Sequence, residues 1–556
     1  MSRIPTDITR RCALGLAGLA LLAITLPGCN TFGNAGARAA PANTFRYPLT
    51  SDPTTLDPGK VEDGTTIDLL QQVYEGLVKW DANNQIVPNL AEKLPDISAD
   101  GRVYTFHLKH GVKFHHGREI TAADFKYSME RACDPALNSP TTGYLRDIVG
   151  AKERLSDTKT NGVKDIAGIK ALDASTLQIT IDAFKPYWLG NMTYPIAYVV
   201  CREIVDKGNG KISDANVVGT GPFTLEPGAY KLSDKVTLTA NPDYHGGRPK
   251  LDAIVREIIK DGSIRLSKYE ANELDMVEIS PSDLEKVNND AKLKADLKAF
   301  PRARIWYVGM NSYLSDSPFT KRDIRRAFAM AIDKKQVIQV ALHGQADLAN
   351  GILPPGVLGY NPDVKPLPFD SKAAQDLLAK AGFPGGKGFP VLAYAYRNDK
   401  PEVQEVAEVI RQQIKTNLGI ELQLRPMEWG DFLKERHNKT LPIGSISWGA
   451  DYLDAQNFLS TLLHTDKVVN GKPDHEENGI GYSDPKFDAL CDKADVEHDP
   501  KKRIDLYHQA EQVAIDDAPW VPLYFQKDLV VMKPRVSGYQ NSLFGILPHT
   551  QTTVSP

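Results

Sequence analysis

Apolar residues recur at helical spacing in some stretches of the chain and alternate with polar ones in others. Leu69, Leu70, Val73, Tyr74, Leu77 and Val78 fall on one face of a 3.6-residue period, which predicts a helix over residues 68–80. A longer amphipathic run predicts one helix over 322–342. Another covers 402–418, stopped by Gly419 as a helix-ending glycine, and a late one covers 503–515, ending before Pro519. Period-two alternation predicts a hairpin over 103–114, turning near His110 and Gly111. It also predicts strands over 176–181 and 236–240, and one through Ile420, Leu422 and Leu424. Thr121 followed by Asp124 reads as a capping box with Asp in place of Glu, opening a helix. No stretch repeats another. The pattern is that of a mixed α/β protein.

The start of the chain is patterned differently. Residues 1–11 carry Arg3, Arg10, Arg11 and Asp7, and 12–26 form an uncharged Leu- and Ala-rich run. That run is shorter than the ~20 residues a membrane span needs, so it reads as a secretory leader. It ends in Leu26, Pro27, Gly28 and Cys29, which resembles the bacterial lipoprotein box. The resemblance implies cleavage before Cys29 and its acylation, giving a lipid anchor. An ordinary cleaved leader and an uncleaved anchor are the alternatives. Residues 29–43, rich in Ala, Gly and Asn, read as a flexible tether.

Composition narrows the classes. The chain has 556 residues, 66 basic and 70 acidic side chains and a formal charge of −4. That length predicts three to four domains, and that charge gives no reason to bind nucleic acid. Cys133, Cys201 and Cys491 allow at most one intrachain bridge and lack metal spacing. No Gly-x-Ser-x-Gly elbow appears. Gly219, Thr220 and Gly221 lack the third glycine of a dinucleotide loop, and Gly382–Gly388 lacks the Ser or Thr of a phosphate loop. The chain is read as no enzyme, with no cofactor and no metal. His107 and His115, facing each other across a hairpin, are the one metal arrangement to weigh; beside Lys109 and Lys113 they read instead as exposed polar residues.

The most distinctive stretch runs Ser447, Trp448, Gly449, Ala450, Asp451, Tyr452, Leu453, Asp454. One reading is a core tryptophan beside a solvated acid. The other is a carboxylate in an aromatic-lined cleft, where an unpartnered charge is costly and favours an ammonium guest.

Ordered blocks then resemble the oligopeptide/dipeptide family of solute-binding proteins that serve ABC importers. They include Thr55 to Pro58, Val73 to Leu77, Phe114 to Gly117 with Thr121 to Phe125, Val218 to Phe223, Asn241 to Tyr244, Asp323 to Ala327, and Gly481 to Asp484. The resemblance implies a two-lobed periplasmic-binding-protein-like α/β fold (cluster C type) with an inserted domain and a hinge. It implies lobe I over 44–75, 199–303 and 521–556, an inserted domain over 76–198, and lobe III over 304–520. It implies a monomer that captures an oligopeptide or dipeptide for an ABC permease and ATPase. Residue by residue, Asp451 falls on the aspartate for the peptide α-ammonium and Trp448 on a side-chain pocket. Gly449 falls where backbone pairs with peptide, Tyr144 on a tyrosine packing over the ligand, and Glu62, Asn398 and Arg436 on cleft positions. The chain departs from the family where the peptide carboxylate is held, with Ser445 and Val403 in place of an arginine and a histidine; Arg397 or Lys365 are candidate substitutes. A nickel chelate, haem or an oligosaccharide are alternative ligands, and an envelope sensor or chaperone an alternative role.

Overall fold

The computed structural model describes residues 43–157, 164–465, 468–469, 472–473 and 477–556. Cys29, the leader and nearly all of the tether lie outside the described residues. No described helix is long and apolar enough to cross a membrane.

The architecture is mixed α/β and two-lobed. One sheet orders Thr44–Arg46, Ala253–Glu257, Lys235–Ala240 and Phe223–Thr224. In Lys235–Ala240 the alternation sends Val236 and Leu238 fully into a core built from residues 45–73, 200–276 and 530–554. A second sheet, Asp96–Ile97, Val103–His107, Thr176–Thr180 and Ile169–Ala171, closes over a separate core drawn from residues 77–201. Tyr452 joins that core from far along the chain.

The largest sheet orders Met276–Glu278, Trp520–Met532, Leu297–Met310, Ile443–Gly449, Leu392–Arg397 and Leu422–Met427. Its last two strands are parallel, linked by the helix Pro401–Leu418. Ile305 and Tyr307 face one core, while Trp306, Val308 and Met310 face another. Leu297–Met310 and Trp520–Met532 serve more than one core: residues 303–310 and 520–525 pack in the two cores of this sheet, while Phe300, Val530 and Met532 pack in that of the first. Their ladder breaks register between Pro301 and Ile305, and again between Trp306 and Tyr307.

Local signals were read correctly where they were local. The Thr121–Asp124 capping box is present, and Gly419 ends Pro401–Leu418 at a left-handed φ of 70°. Three expectations are corrected. The helix over 68–80 is Gly64–Leu70, opened by the Asp63 side chain; the chain then turns and returns as the strand Val78–Trp80. Past Leu70 the carbonyls of Gln72 and Val73 accept instead from the Phe223 and Gly221 N–H groups, each at 2.9 Å. The helix over 322–342 is two helices, Arg322–Ala331 and Lys334–Ala341, with Asp333 capping the second. The hairpin over 103–114 is not one: Val103–His107 pairs with Thr176–Thr180, and a short hairpin follows where Lys113 bridges Glu119. Cys133, Cys201 and Cys491 are buried and free.

Candidate functional site

A cavity of about 280 Å³ lies where the cores meet. Glu62, Tyr144, Arg436, Trp448, Gly449 and Asp451 all line it, though they come from distant parts of the chain. Asn398 does not: it is exposed, and its amide donates to Glu428 Oε1 at 3.1 Å.

Asp451 sits just past the strand Ile443–Gly449. Its carboxylate accepts from the Tyr144 hydroxyl, which reaches it from the turn Thr142–Leu145, and from the Asn457 amide at 3.4 Å. Among the described residues no Lys, Arg or His nitrogen lies within 4.0 Å of it. Burial pushes its pKa up to about 7, and the charge of Glu477 adds to the rise. Tyr144 is pushed well above the ordinary phenol range, first by burial and then by Asp451, so it stays a neutral donor.

Asn457, fully buried, fixes this arrangement. Its Oδ1 accepts from Trp448 Nε1 at 3.1 Å and from the Asp451 N–H at 2.9 Å. One amide therefore sets both the indole and the loop carrying the carboxylate. Sequence reasoning passed over Asn457; the available signal was a pair of amides, Gln456 and Asn457, set between Ala455 and the apolar Phe458 and Leu459.

Strand geometry gives Gly449 its role. The Ala450 N–H donates to Ala303 O at 2.8 Å while Arg304 faces Gly449 in the ladder. Arg304 and Gly449 are therefore a non-hydrogen-bonded pair, and the Gly449 N–H and C=O turn to the opposite edge. The same register turns those of Ser447 outward. The neighbouring strand Leu392–Arg397 pairs only as far as Gly444, so among the described residues no strand covers this edge beyond it.

A family model described as bacterial extracellular solute-binding proteins, family 5 middle, matches residues 85–470. The chain belongs to the family 5 extracellular solute-binding proteins. That is a family of substrate binders, not enzymes. The probable deoxycholate-binding periplasmic protein YgiS of Escherichia coli (strain K12) is 30% identical, over 90% of this chain and 91% of that protein. The dipeptide-binding protein DppE of Bacillus subtilis (strain 168) is 28% identical, over 94% and 95%. The structure of a periplasmic oligopeptide-binding protein, OppAIV, from Borrelia burgdorferi matches with a TM-score of 0.83 and 27% identity, covering 92% of this chain and 100% of that one.

Several other charged residues of this family 5 cavity are already engaged. Arg436 donates to Glu477 Oε2 at 2.8 Å and lies over the Trp448 ring; Glu62 lies 2.9 Å from His437 Nε2. Arg397 is held by Asp399 at 2.6 and 2.5 Å and stacks on Trp429. It lines the cavity with its charge met. Lys365 is exposed and away from the lining, and Val403 is fully buried in a core. Ser445 is bonded to the Tyr394 hydroxyl at 2.7 Å.

The histidines scatter. His107 approaches Asp96 at 3.2 Å. His115 accepts from the Gly219 N–H at Nδ1, and its Nε2 lies 3.1 Å from Gly221 O. They do not face each other, because the expected hairpin is absent. His116, Cys201 and Glu203 do lie close together, but Arg118 donates to Glu203 among them, and a guanidinium there repels a dication.

Proposed function

We propose that this protein captures short peptides between its lobes, holds the peptide α-ammonium on Asp451, and delivers the peptide to an ABC permease and its ATPase. One observation carries the reading: Asp451 is a carboxylate in the cavity, bonded by neutral groups, and among the described residues no Lys, Arg or His nitrogen lies within 4.0 Å of it. A buried acid in that state gains most from an ammonium guest. The open edge at Ser447 and Gly449 supports the same reading, because an extended peptide adds to such an edge through its backbone, whatever its side chains. Relatives named for dipeptides and oligopeptides support the ligand class.

In this reading Trp448 and Tyr144 wall the first side-chain position, while Glu62 and Arg436 shape the cavity, Arg436 with its charge met by Glu477. Lobe I takes 44–75, 199–303 and 521–556, the inserted domain 76–198, and lobe III 304–520. The lobes close about the register breaks in the two long strands. The protein acts as a monomer, tethered through acylated Cys29 on the outer side of a bacterial membrane.

Calorimetry on the wild-type protein tests the ligand end. A free-amine tripeptide should bind at least ~30-fold more tightly than its N-acetyl form, since a buried charge pair loses ~2–5 kcal/mol when one partner goes. Equal affinity for the two would end the assignment of Asp451.

A further inference from the structure

Most cations lining the cavity face a carboxylate. Arg302 meets Asp528, Arg397 meets Asp399, Lys400 meets Glu278 and Arg436 meets Glu477. Arg304 and Lys79 line it too, and among the described residues neither has a carboxylate oxygen within 4.0 Å. Lys79 lies in the fields of Glu75 and Lys109, where Glu75 is already bonded by His245, Tyr244 and Thr220. Arg304 stands elsewhere, beside the open strand edge.

Two glycines leave room for the Arg304 guanidinium. A Cβ on Gly449 would lie 3.0 Å from its Nε and 3.1 Å from its Nη2, and one on Gly64 would lie 3.2 Å from Nη2. The guanidinium therefore crosses directly over Gly449, two residues before Asp451. A side chain at 449 would press on it and make it give way. Arg304 emerges from the register break after Pro301, and such bulges re-aim side chains. Its charge reaches Asp451 without forming an ion pair. Burial lowers the pKa of Arg304 from the usual arginine range, with Arg302 and Arg397 pushing the same way and Asp528 and Glu278 opposing. A guanidinium keeps its proton even so, and it matches a carboxylate with two parallel donors.

Building on the peptide reading above, we propose that Arg304 binds a carboxylate of the bound peptide, close to the amine on Asp451, so that the cavity selects short zwitterions. A peptide running from Asp451 along the open edge advances roughly 3.3–3.6 Å per residue, which brings its second or third residue under the guanidinium. That carboxylate is the C-terminus of a di- or tripeptide, or an acidic side chain at that position in a longer one.

Calorimetry with trialanine, trialanine amide and Ala-Asp-Ala amide separates the two sources. A C-terminal contact makes trialanine amide bind wild type roughly 10–100-fold more weakly than trialanine. A side-chain contact makes Ala-Asp-Ala amide bind more tightly than trialanine amide by a similar factor. In Arg304→Met the preference for the carboxylate should vanish; in Arg304→Lys part should remain; in Lys79→Met it should persist. The comparison on wild type needs no variant, so a misfolded Arg304→Met leaves the question answerable. Wild type binding all three peptides alike, or Arg304→Met keeping the preference, overturns the role of Arg304. Wild type binding none of them overturns the peptide reading itself, and this inference with it.

Discussion

Asp451 and Asp454 stand three residues apart in one turn, and the chain treats them in opposite ways. Asp454 accepts two bonds from Arg503, both at 2.7 Å, and caps the short helix Ala455–Asn457 through the Gln456 N–H. Asp451 receives a phenol and an amide and, among the described residues, no ion pair. A carboxylate met by a guanidinium in fixed geometry is structural. A carboxylate surrounded by neutral donors in a cavity is held ready for a guest. The difference lies in what faces each acid, not in the residue type, and that can be tested from both sides.

The largest effect should come from breaking the satisfied acid. Arg503→Met leaves Asp454 buried without its partner and should lower unfolding free energy by ~3–5 kcal/mol in urea titrations. The folded fraction should keep its affinity for a free-amine peptide. If affinity falls along with stability, Asp454 belongs to the binding site and the contrast between the two acids collapses.

Removing the waiting acid should do the reverse. The Asp451 pKa is about 7 in the fold against 3.8 ordinarily, so between those values the folded chain holds a proton that the unfolded chain has lost. Stability therefore falls as pH rises through that window and stays reduced above it. Asp451→Asn lifts the penalty: the variant should be more stable than wild type at about pH 8, on the order of 2–4 kcal/mol, with the gap closing towards about pH 4. It should lose affinity for free-amine peptides over the same range. A variant less stable than wild type at high pH would mean that Asp451 supports the fold after all.

Much of this contrast was within reach of the sequence, and the rest was not, for a physical reason. The capping box at Thr121 and the stop at Gly419 are encoded within a few residues and were legible as such. The break at Asp333 was not, because Ile332 keeps the apolar period running; the Asp333 cap and the Gln413 side chain, accepting from the Asp333 N–H at 2.8 Å, mark the interruption in the fold. At the site, the Trp448–Asp454 stretch announced itself and the family resemblance chose Asp451 from it. Arg304 remained invisible, since its meeting with Gly449 is a strand register between distant segments. Arg397 looked like the free cation because nothing in a linear reading shows that Asp399, two residues on, folds back to take it.

The mildest test titrates the contrast without altering the protein. Asp451 is faced by Tyr144, Asn457, Glu477 and Arg304. Tyr144 keeps its proton and burial raises the Asp451 pKa to about 7, so Asp451 changes charge near neutrality; Asp68, elsewhere on the cavity wall and raised by burial to about 6, does so about one pH unit lower. Below about pH 7 Asp451 takes up a proton and can no longer pair with an ammonium; above the ~7.7–8.0 of a peptide α-amine, the ligand loses its own charge. Affinity for a free-amine peptide should therefore peak between those two values. It should fall towards tenfold per pH unit on either side, about 1.4 kcal/mol each. An N-acetyl peptide, having no charge to match, should show neither limb. A free-amine peptide whose affinity stays flat from about pH 5 to 7 would show that its amine rests on an acid as well satisfied as Asp454, and Asp451 would lose its distinction.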